Sequence, residues 1–137
     1  MMGNIGQRLI SNGSINIKTE QIMKVDFNIK LKEFDGSEAF EEKKVVKNGK
    51  TEVSYSPIII KDLVAKALFS GGGLERTGNV ETDNNNRFEA YKLSQKIIGS
   101  DKDIDLSPEE MVLVKQAASA YPSAGVYAQI VKLVDPK

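Results

Sequence analysis

Arg76 and Arg87 flank a segment rich in Asn, Thr and Gly that ends in Asn84-Asn85-Asn86, and Tyr91 follows four residues later. A guanidinium presents a fixed fork of donors that suits phosphate or carboxylate, and an asparagine amide can read a base or a backbone edge. Arg76, Asn84, Asn85, Asn86, Arg87 and Tyr91 are therefore the candidate ligand-binding residues. Their chemistry would be capture of a small nucleotide at a subunit boundary, by charge-assisted hydrogen bonds and base stacking on Tyr91, without turnover. The competing reading is a solvated loop in which one arginine makes a helix-side ion pair.

Other chemistry is restricted by what the chain lacks. It has no histidine and no cysteine in 137 residues. A Ser-His-Asp triad, a Cys-His pair, a His-ligated zinc site and a thiol redox centre are all ruled out. Asp101, Asp103 and Asp105 have the alternating spacing of a calcium loop, but the sixth and twelfth positions are Leu106 and Val112. The glycine that bends such a loop and the glutamate that closes it are both missing. Gly71-Gly72-Gly73 has no following Gly-Lys-Ser/Thr and comes after a helical run, so it reads as a helix stop. No catalytic residue, metal ligand or cofactor is expected, although a carboxylate-based or metal-based hydrolase stays open as a third reading.

Nineteen basic residues offset nineteen acidic ones. No global field draws the chain to nucleic acid or to an anionic membrane. The longest apolar stretch, Ile58–Phe69, is interrupted by Lys61, Asp62 and Lys66, far short of the ~20 residues that cross a bilayer. The amino terminus lacks the basic start and apolar run of a signal peptide, and the absence of cysteine fits assembly in a cytosol. A soluble protein is expected.

The elements that must position these residues follow from patterning. Residues 1–13 carry few large apolar groups and read as a flexible arm, ordered only against a neighbour; residues 14–137 read as one domain. Ser14–Thr19 is a short strand. Lys24–Lys32 alternates Val25, Phe27, Ile29 and Leu31 with polar residues, the period of a half-buried strand. Asp35-Gly36 marks a turn. Glu41–Val46 and Thr51–Tyr55 flank Asn48-Gly49, which predicts a type I′ hairpin. Glu41–Lys44 reads as a solvated edge strand guarded by its charges.

Ser56-Pro57 predicts the start of a helix over Ile58–Phe69, apolar on most sides except for the wet stripe of Asp62 and Lys66. Leu74–Asn86 reads as a polar loop. A second helix spans about 85–98, with Phe88, Tyr91 and Ile98 near its core face, Leu93 and Ile97 beside it, and Gly99 as C′ cap. Ser107 and Glu110 form a capping box with Pro108 at N1, opening a third helix. A fourth spans about 123–134. Tyr55, Tyr91, Tyr121 and Tyr127 fall on or beside apolar stripes and read as core. The fold class is α+β, a small antiparallel sheet followed by a bundle of about four short helices.

The succession KVDFNIKLKEFDG, SPIIIKDLVAKALF, RFEAYKLSQKIIG, IDLSPEEMVLVKQ and AGVYAQIVKLV resembles a family of small proteins encoded by tailed bacteriophages and prophages, over about residues 23–134. The chain departs from it by the extra amino-terminal residues and a longer loop at Gly71–Asn86. The resemblance implies a phage context, in host cytoplasm or virion, and transfers no activity to any residue. Taken with the apolar first helix and the arm, it points to a non-enzymatic accessory protein. Such a protein would act as a homo-oligomer or on a phage or host protein. The alternative is a phage anti-defence module that sequesters a signalling nucleotide.

Overall fold

Val25, Phe27 and Leu31 are the buried members of the alternating run, and what they pack against changes along it. The computed structural model describes residues 22–135; the arm at 1–13 and the strand at Ser14–Thr19 lie outside them. Only β1, Met23–Val25, is ladder. It pairs antiparallel with β4, Ile104–Leu106, a strand absent from the sequence-based expectation. Beyond β1 the backbone turns to a helix instead. The carbonyls of Phe27 and Ile29 accept from the amides of Lys61 and Ile60 at 2.9 and 2.8 Å. Lys30 and Lys32 make isolated bridges to Ile59 and Glu38. A single nine-residue strand is therefore not formed, because its partner changes three times, and Ile29 stays exposed.

β2, Phe40–Lys47, and β3, Lys50–Pro57, form the predicted hairpin. Asn48 and Gly49 both take positive φ, 53° and 76°, as a type I′ turn requires. The two pairs of strands are separate two-stranded antiparallel sheets rather than one sheet.

α1 spans Ile60–Ser70 and starts four residues after Ser56. Ser56 and Pro57 are held in β3, and Ile59, the N-cap residue, makes no side-chain cap. The Phe27 and Ile29 carbonyls satisfy the first amides, so a serine cap is redundant there. α2 spans Val80–Ile98, opening five residues earlier than the spacing of its apolar residues suggests. Asn79 is the true cap, accepting from the Thr82 amide at 2.9 Å, with Glu81 and Asp83 in the first turn. α3, Pro108–Ala118, begins with the Ser107–Glu110 capping box, and α4, Ala124–Val134, is capped by Ser123. The fold is α+β, with four helices among the described residues.

Helix α1 packs on α2 and α3, and α3 packs on α4. Ile60, Val64 and Leu68 meet Leu93, Ile97, Val114 and Ile130 in one buried cluster. At about 25 cal/mol per Å² of apolar surface removed from water, side chains of this size contribute roughly 1.5–3 kcal/mol each. Gln129 of α4 grips the main chain of Lys32 from both sides, accepting its amide and donating to its carbonyl, each at 2.9 Å.

Some expected core residues lie outside. Phe88, Tyr91 and Ile98 are exposed, and Ala90, Leu93, Ser94 and Ile97 form the buried side of α2. Of the four tyrosines only Tyr121 reaches inward, its hydroxyl donating to the Leu63 carbonyl at 2.5 Å; Tyr55, Tyr91 and Tyr127 are exposed. Gly99 caps α2 with φ −81°, a conformation any residue adopts. Gly71 is the left-handed cap, ending α1 with φ +77°.

Candidate functional site

The loop from Gly71 to Asn79 is fixed by its own polar side chains before it offers any to a ligand. The Asp83 carboxylate accepts from the Thr77 amide at 2.9 Å and the Thr77 hydroxyl at 2.8 Å. Those two bonds, the amide's first, hold the Asp83 carboxyl below the usual carboxylate range, with the positive charge of Arg76 adding a smaller push. Against this loop Arg76, Asn84, Asn86 and Arg87 line a cleft of about 140 Å³, together with Glu75 and Asp83. Asn84, Asn85 and Asn86 belong to α2 rather than to a loop. Asn85 and Asn86 face another concavity, a groove of about 810 Å³ between α2 and α3.

Two charged groups of that groove are engaged with each other. Lys96 Nζ bonds both oxygens of Glu110, at 3.1 and 3.0 Å, and the carbonyl of Asp105 at 2.7 Å. This ties α2 to the capping box of α3.

Tyr91 does not join the arginines. Its ring lies 6.0 Å from Phe69 and 6.5 Å from Phe88, an exposed aromatic ridge along α1 and α2 with Lys92 Nζ 5.2 Å from the Phe88 ring centre. Beside it runs a shallow groove of about 320 Å³ lined by Ala65, Lys66, Phe69, Gln95 and Ile98 among others. The structure thus gathers Arg76, Asn84, Asn86 and Arg87 and leaves Asn85 and Tyr91 elsewhere.

The remaining motifs have structural roles. Asp105 sits in β4, where its carboxylate takes a 3.1 Å bond from Lys24 and thereby raises the ammonium's pKa. Among the described residues no three acidic groups come together as a metal cage, and no helix is long and apolar enough to cross a membrane. Gly73, at φ +82°, lets the loop touch the end of α3: a Cβ there would sit 2.1 Å from the Gln116 carbonyl oxygen.

The surface that reasoning from sequence passed over is the hairpin. From Phe40 to Tyr55 every residue of it is exposed. The ladder pairs Phe40 with Pro57, Glu42 with Tyr55, Lys44 with Val53 and Val46 with Thr51. Paired residues share a face, so one face reads Phe40, Glu42, Lys44, Val46 along β2 and Pro57, Tyr55, Val53, Thr51 along β3. On it Phe40, Val46, Val53 and Tyr55 are 53, 71, 46 and 68% exposed. The opposite face carries Glu41, Lys43, Lys47, Lys50, Glu52, Ser54 and Ser56, with Val45 alone among them large and apolar. The signal was present: a two-residue turn at Asn48-Gly49 fixes which residues meet across the ladder and so gathers the apolar ones on one side. No family model, no curated protein and no solved structure matches the chain.

Proposed function

We propose that this chain is a non-enzymatic accessory protein of a tailed phage or prophage that works by assembly. It acts with itself or on a phage or host protein, in the host cytoplasm or the virion. The phage context rests on the resemblance of residues 23–134. The observation that carries assembly is the β2–β3 hairpin, an amphipathic ribbon with an apolar face that no other part of the described chain covers. Two-stranded ribbons are marginal in water, and contiguous exposed apolar patches mark interaction surfaces.

The nucleotide reading has its donors in one cleft, but about 140 Å³ is below the ~300 Å³ at which ligand sites begin, and its stacking residue lies on the aromatic ridge. Assembly is the better supported of the two.

The test places a photo-crosslinking residue at Val46, on the apolar face, or at Glu52, on the polar face, of the full chain in the cells that produce it. Discrete adducts from Val46 and none from Glu52 are expected. No adduct from Val46, or equal labelling from both positions, contradicts the reading.

A further inference from the structure

We propose that the apolar face of the β2–β3 hairpin is a dimerisation surface and that its occupant is the same face of a second copy of this chain. The inference rests on the assembly reading above and names its partner.

The order of residues on that face makes it complementary to itself. Along β2 it runs apolar, acidic, basic, apolar: Phe40, Glu42, Lys44, Val46. Consider two such faces packed together as in a β-sandwich, about 10 Å apart. Let a two-fold axis lie between them and cross the strands at the level of Lys43 and Ser54, a ladder pair on the opposite face. The operation reverses the strand direction and keeps β2 over β2 and β3 over β3. Glu42 of one copy then lies over Lys44 of the other, and Lys44 over Glu42. Phe40 lies over Val46, and Tyr55 over Val53. Every charge meets its opposite and every large apolar group meets another. A two-fold interface requires this self-complementarity. The chain's zero formal net charge adds no repulsion between copies.

Size sets the strength. Strands of eight residues reach about 27 Å and two of them span about 10 Å across, so the footprint is on the order of 300 Å² per copy. Standard stable interfaces bury ~800 Å² per partner. The dimer is therefore reversible and follows concentration.

The test is sedimentation velocity of the full chain from roughly 1 µM to 1 mM, with melting temperature to check that each variant keeps its fold. Wild type passes from monomer to dimer across this range. Glu42→Lys sets cation against cation and Lys44→Glu sets anion against anion, twice per dimer, so each weakens association several-fold to about tenfold. Mixing the two variants in equal amounts restores dimer, as a heterodimer, because every acid then faces a base. Val46→Glu abolishes association. A wild type that stays monomeric throughout, or a dimer indifferent to these substitutions, overturns the proposal. If wild type is monomeric while the Val46 crosslinker captures a different protein, self-pairing fails and the assembly reading stands.

Discussion

The amide of Ile58 donates to the carbonyl of Ala39 at 2.9 Å, closing the root of the β2–β3 hairpin. The Ala39 amide donates in turn to Leu31, and the Leu31 amide to Ile58, at 2.9 and 2.8 Å. This closed triangle of main-chain bonds joins three segments over the buried side chains of Leu31 and Ala39. The hairpin is thus rigid where it leaves the body and free of the core beyond. Ala39→Glu, which forces a charge into a site 3% exposed, should cost about 3 kcal/mol or more. Val46→Glu near the tip should change stability by no more than about 0.5 kcal/mol. Urea denaturation of the two variants gives both values.

Gly73 makes a second sharp contrast. Gly73→Ala meets a backbone oxygen and a strained φ together, so a loss of about 2–4 kcal/mol is expected. Gly36→Ala has a comparable φ of +87° and open space around it, and should cost only about 1 kcal/mol. Equal losses at the two sites would show that the contact between the loop and the end of α3 carries no weight.

Tyr121 predicts an alkaline limit. Burial raises its phenol above the usual value, and its hydroxyl donates to the Leu63 carbonyl. A raised native pKa stabilises fully below the unfolded value of ~10, and that contribution is lost as pH rises through the native one. Tyr121→Phe should cost about 1 kcal/mol at pH 7. The difference from wild type should shrink above pH ~10 in thermal melts.

Asp83 predicts the opposite trend in acid. Its native pKa is lowered by Thr77, so its contribution is present above the unfolded value of ~3.9 and is lost as pH falls through the native value. Asp83→Ala should therefore melt lower than wild type at neutral pH, and the gap should close toward pH ~2. A gap independent of pH would mean that Asp83 acts through packing alone.

What the sequence revealed divides by range. Ser107–Glu110, Ser123 and Asn48-Gly49 are local devices whose partners lie within a few residues, and each forms as its residue types predict. Ser56-Pro57 has the same local credentials and starts no helix, because bonds from Phe27 and Ile29, some thirty residues away, set the start of α1 at Ile60. The polarity of Thr82–Asn86 reads as loop, yet Asn79 and the acids after it nucleate α2 there. Phe88 and Tyr91 look like core by residue type; α2 has only one face toward α1, and Ala90, Leu93 and Ile97 fill it. Of the candidate site, the gathering of Arg76 and Arg87 was legible only as nearness along the chain: Arg76 lies in the loop and Arg87 inside α2, and the Thr77–Asp83 bonds hold that loop against the helix. The separation of Tyr91 depends on the rotation of α2, which packing decides.

Trimming the hairpin separates a role in assembly from a role in the fold. Residues 42–55 are replaced by Asn-Gly, which keeps the root triangle and a tight turn, and the melting temperature and sedimentation of the full-length and trimmed chains are compared. A melting temperature within a few degrees of the original is expected, with loss of association at every concentration tested. A trimmed chain that unfolds, or one that associates as wild type does, would contradict the proposal.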